Sequence, residues 1–65
     1  MLIGIDGNEA NVEKRVGIGE YAYELLMQFH KSQISNLKFQ IYLKEQPRVD
    51  MLPPTEKWRY KIIGP

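Results

Sequence analysis

Residues 2–29 set an apolar run, a polar loop, a glycine pair and an apolar stripe in immediate succession, and that order leaves few folds open. The run Leu2-Ile3-Gly4-Ile5 ends at Asp6 and reads as a strand over residues 2–6 with apolar residues on both faces. Such a pattern fits a central parallel strand covered by helices, not a half-exposed hairpin. From Ile18 the apolar positions are Ile18, Tyr21, Ala22, Leu25, Leu26 and Phe29, at offsets 0, 3, 4, 7, 8 and 11. These offsets trace one stripe on an α-helix. Glu20 and Glu24 near its start, and His30 and Lys31 near its end, suit the helix macrodipole.

Downstream, Phe39, Ile41 and Leu43 alternate with Lys38, Gln40 and Tyr42, which predicts a second strand over residues 38–43. Asn36 marks the expected turn out of the helix. Residues 44–58 carry Pro47, Pro53 and Pro54, which exclude a helix of any length there but allow a single turn around residues 49–51. Residues 58–63 read as a third strand with Gly64-Pro65 as its exit. The fold class is therefore α/β: strand, helix, strand, loop, strand in a parallel sheet, with a right-handed crossover between the first two strands. A parallel sheet needs cover on both faces, and this chain supplies one helix. Residues 1–65 thus read as a single incomplete N-terminal domain of a larger protein. The face left bare is expected to be apolar and to make the isolated chain self-associate.

Composition narrows the functional classes. The 65 residues contain no cysteine, so neither disulfides nor a thiolate metal site can support so small a core. Hydrophobic content of 43% and charged content of 26% describe a globular chain. A net charge of +1 gives no case for nucleic acid or membrane binding. No apolar run approaches the ~20 residues that span a bilayer, and Asp6 and Glu9 interrupt any signal-peptide core. A cytoplasmic setting is the expectation.

A strand that passes through glycines into a helix start is how α/β proteins present backbone N–H groups to an anion, usually a phosphate. Here the glycines are Gly17 and Gly19, and Gly17-Ile18-Gly19-Glu20-Tyr21-Ala22 formally matches the dinucleotide pattern G-x-G-x-x-G/A. Two features depart from it. Residues 7–16 separate the first glycine from the strand, and Leu43 and Lys44 stand where the ribose-binding acid belongs. One alternative is that both glycines only let the helix approach the sheet. Another is that Gly17 makes room for a diphosphate met by the N–H groups of Ile18 and Gly19.

Ile3-Gly4-Ile5-Asp6, the polar loop, Gly17-Ile18-Gly19-Glu20-Tyr21 and Tyr23-Glu24-Leu25-Leu26 together resemble the N-terminus of family 4 glycosyltransferases. The resemblance covers residues 2–29, and residues 39–43 and 60–63 only as strand placement. It implies a retaining enzyme of the GT-B fold, with two Rossmann-like domains facing a cleft, of which this chain is a fragment of the first. It further implies that Gly17, Ile18 and Gly19 approach the diphosphate of a nucleotide-sugar donor, and that the loop from Gly7 to Val16 lines the acceptor side. Asp6, Asn8, Asn11, Lys14 and Arg15 are the site candidates there, with Lys14 and Arg15 suited to an anionic acceptor. The donor-binding carboxylates belong to the second domain, absent from this chain. No catalytic residue, metal or cofactor is expected in this segment, and alone it is expected to be inactive. Two other classes stay open: a self-contained α/β module that binds a partner through its uncovered sheet face, and the start of an NAD-dependent oxidoreductase.

The remaining candidates have structural readings. His30 reads as a helix-end residue, with no ligand at metal spacing to it. Asp6 either faces a ligand at the sheet edge or accepts loop N–H bonds. Trp58, Tyr60, Tyr21 and Tyr23 lack an interleaved basic patch and read as core and rim rather than a base-stacking platform, with Tyr23 off the main helix stripe.

Overall fold

A computed structural model describes residues 1–34 and 36–64; the expected exit at Pro65 lies outside the described residues. The chain forms β1 (Leu2–Asp6), α1 (Ile18–His30), β2 (Lys38–Leu43) and β3 (Trp58–Ile62). All three strands are parallel and lie in the order β1-β2-β3. Met51 N–H donates to Arg48 O within residues 44–57, so the single turn expected there forms. The helix ends sooner than Asn36 suggests. Its C-cap is Lys31, and Ser32 N–H donates to Phe29 O.

The register explains how two layers form. Ile3 and Ile5 of β1 sit beside Phe39 and Ile41 of β2, which sit beside Trp58 and Tyr60 of β3. Side chains alternate across a strand, so these residues share the face that α1 covers. The core joins Phe39, Ile41, Leu43 and Trp58 from the sheet to Leu26 from the helix and to Ala10 and Met51 from the two long connections. Phe39 stacks on Phe29 at 5.6 Å between ring centroids, and the His30 ring meets Trp58 edge-on at 4.9 Å.

Two expectations need correction. The first strand is an edge strand here, not a central one. Its apparently continuous apolar run conceals an alternation in which Ile3 and Ile5 point inward while Leu2, Gly4 and Asp6 are exposed on the other face. That other face is not apolar either. It carries Lys38, Gln40 and Tyr42 of β2 and Arg59 and Lys61 of β3. Arg59 Nε donates to Gln40 Oε1 at 2.9 Å, and Gln40 Nε2 donates to the Tyr42 hydroxyl at 2.9 Å. The Tyr42 ring lies across Gly4, where a Cβ would stand only 2.8 Å from its Cε2.

The helix stripe is also rotated from its expected setting. Leu26 and Gly19 are buried and Ala22, Tyr23 and His30 half-buried, so Tyr23 belongs to the inner face. Ile18 and Tyr21 are 71% and 67% exposed, and Leu25 and Phe29 are exposed in part. Gly19 lets this happen: a Cβ there would stand 3.0 Å from Glu9 O, so the polar loop occupies the space beside the helix start.

Candidate functional site

The two long connections leave the carboxyl ends of β1 and β2, the edge where α/β sheets gather ligands. The first, residues 7–17, is anchored at its base by Gly7. That glycine is buried, its N–H donates to Tyr42 O, and a Cβ on it would meet Ile41 Cγ2 at 2.5 Å and Leu43 Cδ2 at 3.1 Å. Asp6 Oδ1 accepts from both the N–H and the side-chain amide of Asn8, at 2.9 and 3.0 Å. This is the loop-fixing arrangement open to a carboxylate at a strand end.

The sequence-predicted acceptor residues are brought together, but most of their polar atoms are taken up by the second connection. Asn8 Oδ1 accepts from Lys44 N–H at 2.8 Å. Asn11 Nδ2 donates to Glu45 O and Gln46 O while its Oδ1 accepts from Arg48 N–H at 2.8 Å. One asparagine therefore serves backbone donors and acceptors in a segment that has no secondary structure to satisfy them. Arg15 grips the same segment with its two Nη groups and its own loop with Nε. Nη1 and Nη2 donate to the two Asp50 carboxylate oxygens at 2.9 and 3.1 Å, and Nε donates to Ala10 O at 2.6 Å. The guanidinium carbon sits 4.1 Å from the Tyr23 ring centroid, and the Tyr23 hydroxyl donates to Asp50 O. The Arg15 hydrogen bond holds the Asp50 carboxyl below its ordinary range. Lys14 differs from Arg15 in being exposed, with no ion pair among the described residues.

The glycine turn lies where this loop meets α1. Gly17 has φ 55° and ψ −119°, and Gly19 N–H donates to Val16 O at 3.1 Å. Those values describe a type II′ turn with Gly17 at its first central position, a conformation that favours glycine. A Cβ on Gly17 would meet nothing within 4 Å, so the outer side of the turn is open. No side chain caps the helix. Of the two donors expected there, Gly19 N–H is engaged inside the turn, whereas Ile18 N–H has no partner among the described residues. Sequence reasoning could place the glycines but not the turn hydrogen bond that consumes one donor.

Two concavities lie away from this turn. A groove of about 310 Å³ runs along the second connection, lined by Pro47, Val49, Met51, Leu52, Pro54 and Tyr60. Burial pushes the Tyr60 hydroxyl pKa up, an effect that the neighbouring Trp58 indole partly offsets, although Trp58 Nε1 has no partner at hydrogen-bonding geometry among the described residues. Tyr60 Oη itself donates to Leu52 O. The other concavity, of about 200 Å³, lies at the amino ends of the strands between Leu2, Lys38, Glu56, Lys57 and Arg59. The prolines of the groove are plain in the sequence, but nothing in their spacing shows that they face Tyr60.

His30 Nε2 lies 2.9 Å from Pro53 O, a contact that docks the second connection on the helix end. Among the described residues no group of His, Cys, Asp and Glu has the arrangement to hold a metal ion, and no helix is long and apolar enough to cross a membrane. Comparison with protein-family models, curated proteins and solved structures returns no match to this chain.

Proposed function

We propose that the chain is the N-terminal, acceptor-side portion of a nucleotide-sugar-dependent glycosyltransferase that works with retention in the cytoplasm, and that it is inactive alone. The observation that carries this reading is the open, positive-φ turn at Gly17, set against an uncapped helix end with a free Ile18 N–H. A diphosphate approaching Gly17 meets no Cβ at that position and gains from the helix dipole, worth about 0.3–1 kcal/mol when exposed. The strand order is that of one half of a doubly wound sheet, whose crevice opens beside its first strand. In this reading Asp6, Asn8, Asn11 and Arg15 hold the loop in shape, and the exposed Lys14 is left for an anionic acceptor.

The experiment is sugar transfer by the full-length protein from a panel of nucleoside-diphosphate sugars, with and without Gly17→Val. The expected result is transfer from at least one donor and a raised donor KM in the variant. Transfer from none, or an unchanged donor KM, overturns the reading. The polar Arg59–Gln40–Tyr42 network on the open sheet face favours a second reading, a self-contained binding module. No corresponding observation favours an NAD-dependent oxidoreductase, since β2 runs out through Leu43 to Lys44 with no acid at its end.

A further inference from the structure

The charges of this chain are segregated. Residues 1–30 hold five acids and two bases, and residues 31–65 hold three acids and seven bases. The fold turns that imbalance into two opposed surfaces. On the open face of the sheet, Lys38, Arg59 and Lys61 are exposed around the Gln40–Tyr42 pair. Asp6, at the carboxyl edge of the same face, is engaged by Asn8. On the outward side of α1, Glu20, Tyr21, Glu24 and Gln28 are exposed, flanked by Ile18 and Leu25.

The two surfaces also match in dimension. Three strands spaced about 4.8 Å apart present a strip ~10 Å across, the diameter of one helix. Five residues of strand run about 17 Å, the length of roughly three helical turns. Along that strip Arg59 and Lys61 recur every ~6.7 Å, and on α1 Glu20 and Glu24 recur every ~6 Å. The flat Tyr42 ring, half-buried over Gly4 on the β1 side of the strip, offers the apolar ground on which Tyr21 can rest.

From this complementarity we propose that the open sheet face is a docking surface for the α1 helix of a second copy of the chain, so that copies stack head to tail. Glu20 and Glu24 of one copy meet Arg59 and Lys61 of the next, and the bare side of each sheet gains the helical layer that parallel sheets ordinarily have. The contact is heterologous, so nothing in it closes after two copies and assembly grows with concentration. The footprint of one helix is small, which places it among weak interfaces, and its ion pairs are exposed to salt. The proposal concerns the 65-residue chain by itself, and its test leaves Gly17 and the glycosyl-transfer reading untouched.

The test is sedimentation of the full 65-residue chain over a concentration series, beside two charge-reversed variants, E20K/E24K and R59E/K61E. All four positions are exposed, and circular dichroism verifies that each variant folds. The wild type is expected to gain mass with concentration and to return to monomer at about 1 M salt, where the Debye length falls to ~3 Å. Each variant alone is expected to stay monomeric, and an equimolar mixture to regain association because each reversed face then meets its opposite. A wild type that stays monomeric at every concentration overturns the proposal. So does an association that salt leaves unchanged, or a mixture that stays monomeric while the wild type assembles. A monomeric wild type that binds a single-stranded oligonucleotide through Arg59 and Lys61 assigns the face to nucleic acid and overturns it too.

Discussion

The two faces of the sheet hold their residues by different means. On the covered face Phe39, Ile41, Leu43 and Trp58 are buried against Leu26, and stability there comes from apolar area removed from water. On the open face Lys38, Gln40, Tyr42, Arg59 and Lys61 interleave with them along the same strands, and the side-chain bonds there are one from Arg59 to Gln40 and one from Gln40 to Tyr42. One face specifies the fold. The other is free to specify a partner, because changing it costs the fold little.

That contrast can be broken most forcefully from inside. Ile41→Ala removes a fully buried side chain at the centre of the sheet and is expected to cost about 2–5 kcal/mol, read as a shift of the urea midpoint at constant slope. A loss near zero would mean that the covered face is not the core. Gly7→Ala comes next. Its Cβ would press on buried Ile41 and Leu43, and overpacking of this kind costs about 1–3 kcal/mol. Asn11→Ala removes the amide that serves Glu45, Gln46 and Arg48 and is expected to cost about 1–2 kcal/mol, with faster amide exchange confined to residues 44–50. On the open face, Gln40→Ala is expected to change stability by no more than ~0.5 kcal/mol while freeing the Arg59 side chain, seen as lost order in its Nε–H signal.

Acid sharpens the comparison further, since the Arg15–Asp50 pair belongs to neither face. The folded-state pKa of Asp50 is depressed below its ordinary 3.8. Its contribution is therefore present above that value and fades as pH falls through the lower folded value. The expected outcome is that the hold on residues 44–50 weakens as pH falls below 3.8, read by amide exchange. Asp50→Asn, which lacks the carboxylate at every pH, is expected to be already loosened there and to lose this acid dependence.

Much of the fold was legible because periodicity carries it. The strands at residues 2–6 and 38–43 and the helix starting at Ile18 follow from alternation and from the stripe. The stripe nevertheless misled about which side is inward. Apolar character alone could not tell that the polar loop fills the space beside Gly19 and leaves Ile18 and Tyr21 outside. The alternation of the first strand was likewise hidden, because Gly4 counts as apolar in a pattern but gives up its place to a tyrosine from the next strand.

The candidate site was legible as a set of residues but not as a set of bonds. Asn11 spends its whole amide, and Asn8 its amide oxygen, on backbone groups 34 to 37 positions away, and a backbone group leaves no mark in a sequence. Arg15 could be seen as a cation for a ligand, whereas its stacking on Tyr23 and its grip on Asp50 depend on three segments meeting.

Trp58 is the chain's sole tryptophan, and it sits where the helix end, the middle strand and the last strand converge, against His30, Phe39 and Tyr60. Its emission is thus an intrinsic optical reporter for three elements at once. A red shift on heating registers their separation without any added label, and two successive shifts would reveal that the three elements do not part in a single step.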